Sequence, residues 1–96
     1  RSESVCAAVV IMDIRHAPTP LDKELMDWLQ TFSVKIIPVL NKADKLSKSK
    51  QNERIREIRR EWIWCDDKAL ITFSALNGAG KDQLESSIVQ SIRRKD

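Results

Sequence analysis

Long apolar runs are missing from this 96-residue sequence. None is long enough to span a bilayer. The N-terminus lacks the basic, apolar and small-residue succession of a secretory signal, so the chain reads as soluble, with no membrane partner. Cysteine is scarce, with only Cys6 and Cys65. Neither joins a C-x-x-C pair or a cluster with the single histidine, His16, so no metal site is expected. Free thiols are expected, Cys6 acting as a small hydrophobe in an apolar run. No internal repeat or low-complexity linker interrupts the chain, which is read as one unit over residues 1–96. A chain this short buries only a modest core, so any uncovered apolar face carries weight. The composition, 42% apolar and 32% charged, is ordinary for a globular domain.

The net charge of +3 is unevenly spread. Between Lys42 and Arg60 stand eight basic residues: Lys42, Lys45, Lys48, Lys50, Arg54, Arg56, Arg59 and Arg60. Only Asp44, Glu53 and Glu57 oppose them. Such a stretch can meet phosphates by counterion release, or it can be a solvated helix face.

Three apolar runs alternate with three helical patterns. The runs are Val5 to Met12, Val34 to Leu40 and Ala69 to Phe73, closed by Asp13, Asn41 and Ser74. Short, continuous and rich in Val and Ile, they suit parallel strands buried on both faces. Pro38 removes a ladder donor and suggests a bulge or a short strand. For the first helix, Thr19 is the cap, Pro20 the first helical residue and Asp22 the first-turn acid. Leu21, Leu25, Trp28 and Leu29 make its apolar stripe. A second helix starts near Ser47 or Ser49, with Ile55, Ile58 and Trp62 as its stripe. A third follows Gly78 and Gly80, carrying Leu84, Ile88 and Ile92 with Val89 beside them.

The order β-α-β-α-β-α implies an α/β fold with a three-stranded parallel sheet. Right-handed crossovers put the first two helices on one face and the third on the other. One helix does not cover that second face, and the first strand becomes an open apolar edge that invites pairing between copies. On these grounds the chain looks like part of a larger sheet.

Ligands of open α/β sheets bind beyond the carboxyl ends of the strands. There the sequence places Asn41-Lys42-Ala43-Asp44 after the second run and Ser74-Ala75-Leu76 after the third. Their chemistry suits guanine. An ionised Asp44 can accept both N1–H and N2–H of guanine in a charge-assisted pair. Adenine presents an acceptor at N1 and would leave that carboxylate facing a lone pair. The stem of Lys42 can lie across the base. The Asn41 amide can tie the two loops together and reach the purine edge. The Ala75 N–H can meet guanine O6.

N-K-x-D after one strand and S-A-L after the next resemble the guanine-specifying boxes of P-loop GTPases. The longer stretches Asp13-Ile14-Arg15-His16-Ala17-Pro18-Thr19 and Asn41-Lys42-Ala43-Asp44-Lys45-Leu46-Ser47, with Leu21-Asp22 and Trp28-Leu29, resemble the EngB family (also called YihA or YsxC). Ala17 departs from that family's usual Gly, and Asn41 stands where many members carry Thr. The resemblance implies the C-terminal half of a Ras-like P-loop GTPase domain. It implies a parent GTP hydrolase that binds GTP or GDP, with Mg2+ held only by the intact protein. It further implies a role in large-subunit ribosome assembly, cell division and septation in the bacterial cytoplasm, with relatives in organelles. Lys45, Lys48, Lys50, Arg56 and Arg59 then become candidate contacts to ribosomal RNA.

The phosphate-handling parts are missing. There is no G-x-x-x-x-G-K-[ST], no switch threonine and no D-x-x-G. Asn77-Gly78-Ala79-Gly80-Lys81 has the wrong spacing and reads as a helix-entry turn. No catalytic residue is assigned, and these 96 residues alone are expected not to hydrolyse GTP. A nucleotide-free RNA- or ribosome-binding module using the basic 45–60 segment is the alternative. His16 reads as a turn residue. Trp28, Trp62 and Trp64 read as packing residues, and Arg93, Arg94 and Lys95 as a basic tail complementing the last helix. Asp13 resembles a receiver-domain phospho-acceptor only superficially, because Lys42 precedes Ser74 where receivers need the reverse order.

Overall fold

The computed structural model describes residues 7–32, 34–61 and 70–93, with the side chains of Ile92 and Arg93 left aside. Cys6, Trp62, Trp64, Cys65, Arg94 and Lys95 lie outside the described residues. Three strands, β1 (Ala7–Asp13), β2 (Lys35–Asn41) and β3 (Ile71–Thr72), form a parallel sheet in the order β1-β2-β3. The helices are α1 (Pro20–Gln30), α2 (Lys48–Glu61) and α3 (Lys81–Arg93), with a 3-10 turn at Ala43–Lys45. The expected alternation and strand order are present, although β3 is shorter than its apolar run.

Pro38 makes no bulge. β2 runs for seven residues in register with β1, Val10 opposite Pro38. The Leu40 carbonyl accepts from Phe73 on the β3 side. Residues two apart turn their amide groups the same way, so the Pro38 nitrogen also faces that side. The described β3 pairing reaches only Val39 and Leu40, so no described ladder bond is lost.

The strand pleat divides the core into two unequal parts. On one face Val10, Met12, Ile36 and Leu40 pack with Met26 of α1 and Ile58 of α2, alongside Ile14, Ala43 and Leu70. On the other face, among the described hydrophobic residues, Ile37, Val39 and Ile71 are buried, joined by half-buried Ala7, Phe73 and Leu84 of α3. Helices α1 and α2 therefore share a face and α3 takes the opposite one. Each fully buried Ile, Leu or Met contributes roughly 1.5–3 kcal/mol. The α3 face is thus the weaker, and at its β1 edge Val9 and Ile11 stay exposed, Ile11 to 66%.

Two apolar stripes are turned from their expected directions. On α1, Met26 is fully buried and Leu29 packs beside it, whereas Leu21, Leu25 and Trp28 are exposed. Trp28, expected as a packing residue, is 58% exposed and meets Phe32 edge to face at 4.9 Å. On α3, Leu84 faces the sheet and Ser91 is buried, leaving Ile88 and Val89 outside. The Ser91 hydroxyl donates to the Ser87 carbonyl, which lets a polar side chain face inward.

The start of α1 follows the sequence closely. Thr19 Oγ1 accepts from Asp22 N–H at 3.1 Å, and the Asp22 carboxylate accepts from Thr19 N–H at 3.1 Å, a reciprocal capping box. Replacing Thr19 with Ala is expected to cost about 1 kcal/mol in urea unfolding, with Thr19→Ser close to neutral.

Candidate guanine site

The loops after β2 and β3 leave adjacent strands at the same edge of the sheet. Phe73 N–H donates to the Leu40 carbonyl at 2.8 Å, and Ala43 N–H donates to the Phe73 carbonyl at 2.9 Å. These bonds carry the β2–β3 pairing past the strand ends and into the loops. Lys42 sits between them at φ 63°, ψ 37°, the left-handed region where a side-chain-bearing residue is strained by roughly 1–2 kcal/mol. That conformation turns the chain into the 3-10 turn that carries Asp44.

Asp44 and Ser74 meet across the two loops. Ser74 Oγ donates to Asp44 Oδ1 at 2.6 Å. Ser74 is wholly buried, and the same oxygen accepts from the N–H groups of Leu76 and Asn77 at 3.2 and 3.3 Å. The hydroxyl thus folds the Ser74-Ala75-Leu76 turn and fixes the carboxylate together. The Ala75 N–H bonds to no group among the described residues and lies on an exposed residue. The Asp44 side chain keeps 15% of its surface, and Lys45 Nζ stands 4.0 Å from Oδ2. The sequence assigned the tie between loops to the Asn41 amide. Here Asp44 with Ser74, and Ala43 with Phe73, make it, and the Asn41 side chain forms no hydrogen bond among the described residues.

The Ser74 hydroxyl bond holds the Asp44 carboxyl below its ordinary value, partial burial opposing it. Asp44 is therefore ionised at neutral pH. In Ser74→Ala its titration, followed by carboxyl 13C NMR, is expected to move up, because the hydroxyl bond that lowers it is gone. A carboxylate with a depressed folded value stabilises the fold above its unfolded pKa and loses that contribution as pH falls through the folded one. The acid limb of stability should accordingly begin at higher pH in the variant.

The loop after β1 lies alongside. Asp13 accepts from Arg15 Nε at 3.1 and 3.2 Å and from one terminal nitrogen at 2.7 Å, with Arg15 N–H adding a fourth bond at 2.9 Å. These bonds hold its carboxyl well below the usual range. Asp13 is thus committed to its own turn, and Arg15 is close enough to feel the field of Asp44. His16 completes the turn by donating its N–H to the Asp13 carbonyl.

Residues 77–81 form a helix-entry turn. Gly78 N–H donates to the Ser74 carbonyl, Ser74 N–H to the Ala79 carbonyl and Ala79 N–H to Asn77 Oδ1. The Gly78, Ala79 and Lys81 amides are thus occupied internally, the last by the Gly78 carbonyl. Among the described residues, no group of three or more His, Cys, Asp or Glu is placed to hold a metal ion.

Two side chains escaped the sequence reading. Gln51 Nε2 donates to the Ala43 and Leu46 carbonyls at 2.8 and 3.1 Å. Arg54 donates to the Ile14 and Arg15 carbonyls at 3.0 and 3.2 Å and pairs with Glu57. Arg54, part of the basic stretch, is half-buried and ties α2 to the loop after β1. At about 100° per residue, Lys48, Arg56 and Arg59 fall on one flank of α2, while Lys50 stands among Glu53, Glu57 and Glu61 on the other. The candidate RNA-contact residues are thus divided between flanks of different charge.

A parallel sheet with Asp44 and the Ser74 turn at its carboxyl edge has the architecture of an α/β unit of the GTPase fold. The family described as "Elongation factor Tu GTP binding domain" matches residues 2–94, and the chain belongs to it. Its relatives bear out the resemblance to EngB. The chain is 37% identical over 86 residues to a protein of Pseudoalteromonas atlantica, covering 88% of this chain and 42% of the relative. It is 35% identical over 92 residues to one of Desulforamulus reducens, covering 96% and 45%. Both are named "Probable GTP-binding protein EngB". The chain thus spans a little under half the length of these relatives. A crystal structure of a probable GTP-binding protein engB has the same fold, with a TM-score of 0.83 and 24% identity, over 96% of this chain and 58% of that one.

Proposed function

We propose that these residues are the guanine-reading, C-terminal half of a GTP hydrolase domain, residues 1–96 being one piece without an internal boundary. The observation that carries this reading is the 2.6 Å bond from Ser74 to Asp44, which joins two loops at the ligand-binding edge of the sheet. Asp44 accepts N1–H and N2–H of guanine, the Ala75 N–H donates to O6, Lys42 covers the ring, and Asn41 and Leu76 line the edge. GTP or GDP fits this donor and acceptor set at its base. The phosphates and Mg2+ belong to parts of the intact protein that these residues do not supply. The test is competition binding on the intact protein: GDP should displace a labelled guanine nucleotide and ADP should not. Equal displacement by ADP would remove the reading. GTP turnover by residues 1–96 alone should stay at background.

From the motif resemblance we infer a cytoplasmic role in large-subunit ribosome assembly, linked to division and septation. The exposed flank of Lys48, Arg56 and Arg59 is the surface that would meet ribosomal RNA, with Lys45 in the preceding turn and Lys50 on the opposite flank as the remaining candidates. It also supports a second reading, a module that binds RNA without nucleotide. Neutralising Lys48, Arg56 and Arg59 should flatten the salt dependence of RNA affinity, since each lost phosphate contact lowers the slope by nearly one. An unchanged slope would exclude this flank. The exposed Val9 and Ile11 edge of β1 supports self-association of residues 1–96 when isolated.

A further inference from the structure

The turn after strained Lys42 makes two bonds of its own, Lys45 N–H to the Lys42 carbonyl and Leu46 N–H to the Ala43 carbonyl, and it is also held from outside. Two tethers reach Ala43 from other segments. Its N–H is bound by the Phe73 carbonyl beside β3, and its carbonyl is bound by Gln51 from the first turn of α2. Gln51 is placed for this by the start of its helix. Ser47 Oγ accepts from Lys50 N–H at 3.2 Å, and Gln51 N–H donates to the Ser47 carbonyl at 2.9 Å. The half-buried amide then lies back over the preceding loop. Its second bond, to the Leu46 carbonyl, closes the span 43–46 around Asp44. The Ala43 carbonyl belongs to the peptide unit that ends at the Asp44 nitrogen, and a peptide unit is planar. Fixing that carbonyl fixes the plane from which the Asp44 side chain departs.

We propose that Gln51 is a positioning residue for base recognition: it touches no base, but holds the Ala43–Leu46 turn so that both Asp44 oxygens meet the two guanine N–H groups. The proposal rests on the guanine reading given above. A bidentate contact depends on angle more steeply than a single bond, so loosening the turn weakens the N2–H contact along with overall affinity.

The experiment measures GDP and inosine diphosphate affinities of the intact protein, wild type and Gln51→Met. Inosine lacks only the exocyclic amine, so the ratio of the two affinities reads the second Asp44 contact alone. The wild type should prefer GDP at least tenfold, and Gln51→Met should reduce that ratio threefold or more. A merely structural role would lower both affinities together and leave the ratio unchanged, which would overturn the proposal. Gln51→Glu, the same shape without the donor, provides the same readout should the Met variant fail to fold. A wild type that does not distinguish the two nucleotides would instead remove the guanine reading beneath it.

Discussion

Replacing Asp44 with Asn is expected to lower guanine nucleotide affinity of the intact protein by a factor on the order of one hundred to ten thousand. The estimate follows from two hydrogen bonds to an ionised acceptor, each contributing roughly 1.5–3 kcal/mol. An amide at this position retains one acceptor and turns a donor toward the guanine amine, so one of the two contacts becomes repulsive. Xanthine carries a carbonyl where guanine carries that amine. The same substitution should therefore raise xanthosine diphosphate affinity, and the two nucleotides should exchange rank. Ser74 remains able to bond the new side chain, so the loop pairing survives and the change is confined to base choice. Competition of GDP and xanthosine diphosphate for the variant checks this. A variant that keeps the wild-type preference would place the base elsewhere.

The second large effect lies in the backbone beneath the site. Gly80 has φ 79°, and a Cβ added there would stand 2.1 Å from the Thr72 carbonyl oxygen and 3.1 Å from Ile71 Cγ2. The first neighbour is main chain at the end of β3, two residues before Ser74, and it cannot swing away. Gly78 has the same φ of 79° but open space around its Cβ position. Gly78→Ala therefore incurs only the conformational term, roughly 1–2 kcal/mol. Gly80→Ala adds the displacement of β3 and should cost on the order of 3 kcal/mol or more. Urea unfolding of the two variants in the intact protein separates these terms. Equal losses would mean that the β3 edge yields freely. A larger loss at Gly80 should also be accompanied by weaker nucleotide binding, because the displaced carbonyl leads directly into the Ser74 turn.

Much of this architecture is legible in the sequence because short-range rules decide it. Thr19, Pro20 and Asp22 specify a helix start through bonds within four residues, and the structure forms them. Continuous Val and Ile runs identify buried parallel strands, and topology then assigns the helices to their faces. The α1 stripe was misread because spacing reveals that apolar residues share a side but not which neighbour covers it. Leu21, Leu25 and Trp28 do share one, yet Met26 and Leu29 face the sheet. Pro38 was misread because a lost donor matters only where a partner strand stands opposite.

The site divides in the same way. Asp44, Ser74 and Ala75 are proposed from motif chemistry at strand ends, and the structure brings their loops together. Gln51 and Arg54 were invisible because their partners are main-chain carbonyls of other segments. No periodicity marks such a bond, and a charged residue such as Arg54 looks solvated until its acceptors are known. These two residues, one turn apart on α2, hold the loops after β2 and β1 respectively. The helix that carries the basic flank therefore also anchors the loops at the carboxyl edge of the sheet.

The most direct measurement is a crystal structure of the intact protein with GDP. Guanine N1 and N2 should each lie within about 3.2 Å of an Asp44 carboxylate oxygen, and O6 at a similar distance from the Ala75 nitrogen. A purine bound away from the 74–76 turn, or one whose exocyclic amine faces solvent, would contradict the account.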